Sequence, residues 1–325
     1  MKRLRLLPIA LVPAVVLGLA ACSGSGSGTA SSSPSASSSA SASAAAITSC
    51  PDPGKASDSV KVSGAVGGET APKVSFAKGL SASEPQLTVA VKGDGASLQS
   101  GDYAQVSYSV YQAKDASKLG SVGFDSGNPQ ALSVGGSGFG AILACSKVGD
   151  RLVTVGQSSA IGFNTGGDVV VVADVVSKIP TKATGTPQQQ DPALPTVKDK
   201  ADGEPEITVP SGAKAPSKTE VEVLKQGDGQ AIKDGDTALV QYKGVTLKDG
   251  KEFDSSWSKG VPTTFTVSEG QLIKGFVTGL VGQKVGSQVL IVTTAADAYG
   301  ANPPEGSGIP ANAPLVFVVD ILALG

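Results

Sequence analysis

The sequence predicts an α+β fold that is mostly β and is built as two related globular regions. Three observations carry this. Runs rich in β-branched residues recur between turn clusters. Apolar residues at helical spacing occupy one short stretch. A set of short motifs occurs twice in the same order along 325 residues, a length that suits two ordinary domains once non-globular ends are deducted.

The elements follow from local pattern. Residues 221–225 alternate apolar and polar, and residues 237–245 do so less regularly. Residues 288–293 and 315–324 are β-branched runs, which read as strands. Ile273, Phe276, Val277 and Leu280 place a short helix over 273–281. Gly275 and Gly279 weaken that helix in isolation, so packing must hold it. Upstream, Gly93-Asp94-Gly95 echoes Gly227-Asp228-Gly229, and Tyr108 echoes Tyr242 at the same offset. Phe124-Asp125-Ser126 echoes Phe253-Asp254-Ser255, and Gly138-Phe139 echoes Gly275-Phe276. Lys147-Val148-Gly149 echoes Lys284-Val285-Gly286, and Asp174 echoes Asp320. Two repeats are too few for a solenoid, so two separate globules are expected.

Composition narrows the chemistry. Hydrophobic residues are 40% of the chain, enough for cores, while 17% are charged and 4% aromatic. Histidine is absent, which excludes triads built on imidazole and any imidazole metal ligand. Three cysteines cannot form a four-thiolate zinc site, so no metal is expected, and no organic cofactor is indicated. A net charge of −2, with no basic run after the N-terminus, gives no footprint for nucleic acid.

The ends and joints are not globular in composition. Lys2, Arg3 and Arg5 precede an apolar stretch from Leu6 to Ala21 that is short for a membrane span and is broken by Pro8 and Pro13. Leu19-Ala20-Ala21-Cys22 resembles a bacterial lipobox, which makes residues 1–21 a lipoprotein signal peptide and Cys22 the lipidated residue. An ordinary secretory signal with a chance cysteine is the alternative. The expectation is an exported protein anchored by acyl chains, palmitate among them, to the outer face of the cell membrane. Residues 22–48 are nearly all Ser, Ala and Gly and read as a flexible tether. Residues 181–204, with several prolines and a glutamine triplet, read as a linker between a region at 49–180 and another at 205–325.

The second region carries Gly227-Asp228-Gly229, Val240-Gln241-Tyr242-Lys243-Gly244 and Asp249-Gly250-Lys251-Glu252-Phe253-Asp254-Ser255-Ser256. Further on come Leu272-Ile273-Lys274-Gly275-Phe276, Val285-Gly286-Ser287, Ala298-Tyr299-Gly300, Ile309-Pro310 and Leu315-Val316-Phe317. In this order and spacing, residues 205–325 resemble an FKBP-type peptidyl-prolyl cis-trans isomerase. The resemblance implies an antiparallel sheet of about five strands curled around one short helix, and 49–180 is then a second FKBP-like domain. It implies that Tyr242, Asp254, Ile273 and Tyr299 are the catalytic residues, with the Ile273 amide and the Tyr299 hydroxyl on substrate carbonyls. Phe253, Leu272, Phe276, Ile309 and Phe317 are the implied substrate-binding residues, with Phe276 as cleft floor where many relatives have tryptophan.

Three departures from the family pattern bear more on macrolide binding than on isomerisation. Thr263 stands where relatives often carry a further aromatic, Gln271 replaces a common acidic residue, and the loop after Tyr299 lacks a histidine. Trp257 is read either as a substrate contact or as packing for its loop. The segment 301–314, rich in Gly and Pro, is expected to overhang the cleft.

The first region keeps Tyr108, Phe124, Asp125 and Phe139, but Gly136 falls where Ile273 lies and Ile161 replaces Tyr299. It reads as a degenerate copy, a spacer or peptide-binding module with little isomerase activity. Cys50 and Cys145 remain once Cys22 is lipidated, and an exporting compartment permits a disulfide between them. Two buried free thiols are the alternative.

The function expected from all this is prolyl isomerisation assisting the folding of exported proteins, performed by a monomer whose partners are proline-containing exported polypeptides. A peptide-binding chaperone or scaffold with little turnover is the competing reading. A surface-display protein built of sandwich domains lacks the Cys-Trp-Cys core pattern.

Overall fold

The computed structural model describes residues 47–125 and 127–325. The expected signal peptide, Cys22 and all but the last two residues of the expected tether lie outside them. The first part of the chain runs α1 (Lys55–Ser59), β1 (Lys61–Ser63), β2 (Lys73–Ser75), β3 (Gln86–Val91), β4 (Tyr103–Gln112), β5 (Lys118–Val122) and β6 (Gln130–Ser133). It continues with α2 (Phe139–Leu143), β7 (Arg151–Gln157), α3 (Ser158–Ile161) and β8 (Asp168–Ile179). Then follow β9 (Thr186–Pro187), β10 (Thr196–Asp199), β11 (Pro205–Thr208), β12 (Glu220–Gln226), β13 (Thr237–Thr246), β14 (Glu252–Ser255) and α4 (Ser256–Lys259). The chain ends with β15 (Thr263–Thr266), α5 (Lys274–Leu280), β16 (Gln288–Val292) and β17 (Leu315–Leu324).

Among the described residues there are two large antiparallel sheets. One has six strands in the order β3-β7-β8-β4-β5, with β6 also pairing β4. The other has seven, in the order β14-β13-β17-β16-β12-β9, with β15 also pairing β13. Read from β12 to β14, the second sheet repeats the strand order of the first. Small two-stranded ribbons, β1-β2 and β10-β11, accompany them.

Both sheets are covered on two faces, which explains the unbroken valine runs of their central strands. Every residue of β17 is buried, and Val169 to Ala173 of β8 are all buried. One face of the second sheet packs on α5 through Val240, Val289, Ile291, Phe317 and Val319. The two glycines of α5 set its distance: a Cβ on Gly275 would lie 2.4 Å from Thr293 Cγ2, and one on Gly279 would lie 2.2 Å from Ile291 Cδ1. Their cost in helix propensity is offset by this close seating. The opposite face, with Leu290, Val292, Val316 and Val318, packs on Leu194, Val197, Ile207 and Val209. The first sheet is arranged alike. Val153, Val155, Val170 and Val172 pack outward on Ala56, Val60, Phe76 and Leu80.

Two expectations from composition are therefore corrected. Residues 181–204 are not a free linker. Thr186 and Pro187 pair with β12, the Ala183 amide donates to Asp320 Oδ2 at 2.8 Å, and Val197 is buried. The prolines mark turns, while the scattered Leu194, Val197 and Ile207 supply an apolar cover too sparse to show periodicity. Ile47, assigned to the tether, is buried in the core of the first sheet at 8% exposure. The two sheets also meet, through Ile179, Leu239, Leu322 and Ala323 with Tyr103 and Ala131, and all described residues belong to one compact unit. Cys50 and Cys145 are joined by a disulfide across 95 residues of sequence.

Candidate functional site

The cleft of the second sheet is built where α5 crosses the concave face. Tyr242 points inward from β13, Phe317 from β17 and Phe265 from β15, and Phe276 rises from α5 between them. Phe276 meets Phe317 edge-on at 5.2 Å between ring centroids, Phe265 at 5.6 Å and Tyr242 at 6.3 Å. Tyr242 and Phe265 lie 5.4 Å apart, and Phe253 meets Phe317 at 5.6 Å. Edge-to-face pairs of this kind lock one another's rotamers. The rings leave a cavity of about 360 Å3 that is bounded also by Asp254, Leu272, Ile273 and Tyr299.

Phe253 reaches the cleft because β14 bulges. Gly244 pairs with Asp254 and Val245 with Glu252, so Phe253 is the extra residue. Its ring then passes over Gly244, where a Cβ would lie 2.6 Å from Phe253 Cζ. Asp254 is turned to the cleft rim by the same bulge.

The polar groups at the rim divide into committed and free. The Tyr242 hydroxyl donates to Asp254 Oδ2 at 2.5 Å. Lys259 Nζ donates to Asp254 Oδ1 at 2.6 Å, and the Ser255 amide donates to the same oxygen at 2.9 Å. Partial burial by itself pushes the Asp254 carboxyl up, but the hydrogen bonds from Lys259 and Tyr242 and the Lys259 charge outweigh it and hold it below the usual carboxylate range. Burial, then the hydrogen bond to Asp254, pushes the Tyr242 phenol well above its ordinary value. Burial and the Asp254 charge raise Tyr299 also. Tyr299 remains a neutral donor at any physiological pH, and among the described residues its hydroxyl has no partner. The same holds for the amide of Ile273, the residue that caps α5.

Of the residues read from the sequence, Tyr242, Phe253, Asp254, Leu272, Ile273, Phe276, Tyr299 and Phe317 come together around this cavity. Ile309 does not line it. It is buried in the same apolar cluster as Tyr242, Phe276 and Phe317, in a segment closed by a bond from the Asn312 amide to the Gly300 carbonyl. The missing aromatic expected at Thr263 is supplied by Phe265, two residues along the same strand face. Period-two alternation made that residue findable. Trp257 faces a different cavity, with Tyr103, Val134 and Gln241. Among the described residues no helix is long and apolar enough to cross a membrane.

The comparable place on the first sheet is filled. Tyr108 and Phe139 lie 5.7 Å apart, and Phe163 packs against both at 6.1 and 6.0 Å. The Tyr108 hydroxyl donates to Gln130 Oε1 at 2.7 Å, and Ile161 is fully buried. The helix α2 starts two residues later than α5 relative to the matched rings Phe139 and Phe276, so its cap is Gly138, the counterpart of Gly275.

The sequence profile of FKBP-type peptidyl-prolyl cis-trans isomerases matches residues 228–322. The chain is 36% identical over 120 residues to the FK506-binding protein of Streptomyces anulatus, covering 37% of this chain and 96% of that protein. It is 41% identical over 106 residues to FK506-binding protein 1A of Neurospora crassa, covering 32% of this chain and 87% of that protein. To FkpA of Escherichia coli it is 44% identical over 102 residues, which is 31% of this chain and 36% of that protein.

Proposed function

The chain belongs to the FKBP-type peptidyl-prolyl cis-trans isomerase family and is itself a prolyl isomerase, and from that premise we propose how its cleft works and where. An X-Pro amide crosses a barrier of about 18–20 kcal/mol because rotation breaks conjugation between nitrogen and carbonyl. Uncatalysed exchange takes about 10–100 s. A catalyst must favour the twisted amide over both planar forms.

The proline ring seats on Phe276 among the rings of Tyr242, Phe265 and Phe317, which removes water from the amide. The Ile273 amide and Tyr299 hydroxyl bind carbonyls on either side and hold the chain while the bond turns. The Tyr242 hydroxyl is spent on Asp254, so Tyr242 acts as a wall and as a positioning residue for that carboxylate. Asp254, kept ionised by Lys259, orients dipoles at the rim. The observation that carries this reading is a cavity walled by rings into which two unpartnered donors face.

The wider reading is an exported protein, lipid-anchored through Cys22 to the outer face of the membrane, acting as a monomer on proline-containing exported chains. The sheet at 49–180 is a degenerate copy that binds peptide and turns over little.

A protease-coupled isomerisation assay on a proline tetrapeptide tests the mechanism. Tyr299→Phe is expected to lower kcat/KM about tenfold, the worth of one hydrogen bond of about 1.5 kcal/mol. Full rates in both Tyr299→Phe and Asp254→Ala, together with lost chaperone activity, would instead make the cleft a binding module.

A further inference from the structure

A second cavity, of about 500 Å3 against about 360 Å3 for the cleft, opens where the two sheets meet. The first region contributes Tyr103 and Val134 to its walls, and the second contributes Gln241, Trp257, Val261 and Pro262. Neither region forms it alone. Val261 is an apolar side chain left 51% exposed at this place. Tyr242 faces the isomerase cleft, so its neighbour Gln241 faces the other side of β13. Gln241 is only 6% exposed. Its Oε1 accepts from Ser256 Oγ at 2.5 Å, and that hydroxyl accepts in turn from the Tyr242 amide at 2.8 Å. Among the described residues Gln241 Nε2 has no partner, and the space beside it is this cavity. A side-chain amide so deeply buried is costly unless something accepts from it.

The groove is continuous with the catalytic cleft through α4. That helix is a single turn. The Ser258 amide donates to Ser255 Oγ at its start, at 3.3 Å. Gly260, at φ +73°, closes its end by donating to the Trp257 carbonyl at 3.0 Å. Lys259 leaves this turn toward Asp254 at the cleft rim, while Trp257 leaves it into the junction cavity. Further along the same segment, Val261 and Pro262 wall the groove and Phe265 walls the cleft. One stretch of chain therefore serves as a wall of both cavities. Aromatic side chains beside a fixed donor suit the ridged, fully solvated backbone of a proline-containing segment, whose carbonyls are all free to accept.

We propose that the junction groove binds an extended, proline-containing polypeptide segment, with apolar residues against Tyr103, Trp257 and Val261 and a backbone carbonyl on Gln241 Nε2. It gives the protein a second hold on the chains whose prolines the cleft turns. A hold of this kind acts equally on the planar and twisted amide, so it favours binding of long chains and leaves the turnover of short ones unchanged. The choice of occupant rests on the prolyl isomerase reading of the cleft.

Trp257 is the chain's only tryptophan, so its fluorescence reports on the groove directly. The full chain is titrated with the peptide Ala-Pro-Pro-Leu-Pro-Pro-Ala, and with Ala-Gly-Ser-Gly-Ser-Gly-Ala as a control. The proline peptide is expected to move the emission to shorter wavelength, and the control to leave it in place. Gln241→Met removes the donor, and Val261→Asp puts a charge at an exposed apolar position. Each is expected to weaken the proline peptide about tenfold. An emission that ignores the proline peptide in the parent would overturn the proposal. Parent-like affinity in Val261→Asp would overturn it too, since the peptide would then sit elsewhere. Emission that moves with protein concentration alone would make a second copy the occupant and overturn the polypeptide reading. The isomerase rate on a proline tetrapeptide, followed in the same samples, should stay at the parent level in Val261→Asp. That rate reports on the cleft alone and keeps a failure there distinct.

Discussion

The two sheets share a strand order and a helix across the same face, yet one encloses a cavity and the other is closed. In the second, Phe276 stands among Tyr242, Phe265 and Phe317 while Tyr299 and Ile273 line the remaining space. In the first, Phe163 leans on Tyr108 and Phe139, and Ile161 and Ile47 are buried in the same core. Strand pairing and helix seating thus survive changes that abolish an open site. A cavity persists only where its wall groups cannot collapse onto one another.

The same contrast recurs behind the sheets. Asp174 of β8 faces Arg151 of β7, and Asp320 of β17 faces Gln288 of β16. Arg151 binds Asp174 at 2.6 and 2.7 Å and reaches the carbonyls of Gly64 and Ala65, fastening that loop to the sheet. Gln288 donates to Asp320 at 2.8 Å but brings no charge. Burial then pushes the Asp320 carboxyl up to about 6, against the hydrogen bonds from the Ala183 amide and Gln288.

The largest effect expected is on the charged version. Arg151→Met strands a buried carboxylate and should cost about 3–5 kcal/mol in guanidinium unfolding. A cost under about 1 kcal/mol would mean that the pair does not fasten the loop. Removing the disulfide by Cys50→Ser and Cys145→Ser should cost about 4 kcal/mol, because it frees a long loop in the unfolded chain. Isomerase activity at 25 °C should stay at the parent level, and a parallel loss would show the two halves to be coupled.

Asp320 comes next. Its folded pKa is raised, so the folded chain binds the proton more tightly and the stability this group contributes is greatest at low pH. Stability should fall by up to about 3 kcal/mol as pH rises from about 4 through about 6. Asp320→Asn should flatten that profile in urea titrations at several pH values, and an unchanged slope would assign it elsewhere. The smallest effect belongs to the cleft. With Asp254 lowered and Tyr242 and Tyr299 raised, no cleft group titrates between about pH 5 and pH 9, so kcat/KM should be level there. A bell-shaped profile would implicate a proton transfer that the geometry does not provide.

Much of the second sheet was legible. The α5 pattern at 273–281 and the four long strands emerged within a residue or two, since periodicity and β-branching are local properties. Eight of the cleft residues came from ordered motifs. Phe265 was missed because Thr263 was aligned to the aromatic position, a slip of one period on the same strand face. Ile309 joins the apolar cluster of the cleft rings without bounding the cavity, in a loop closed by Asn312 and Gly300.

By itself the sequence determined the strands, the short helix, the rings and the absence of imidazole chemistry, because each follows from residue type and near-neighbour spacing. Tertiary structure alone decided that residues 181–213 cover the second sheet, and that Ile47 is buried in the core of the first. It also decided that Arg151 binds one of two equivalent aspartates and Gln288 the other. Those outcomes depend on surfaces assembled from residues far apart in the chain, and burial of such surfaces leaves no local period to read.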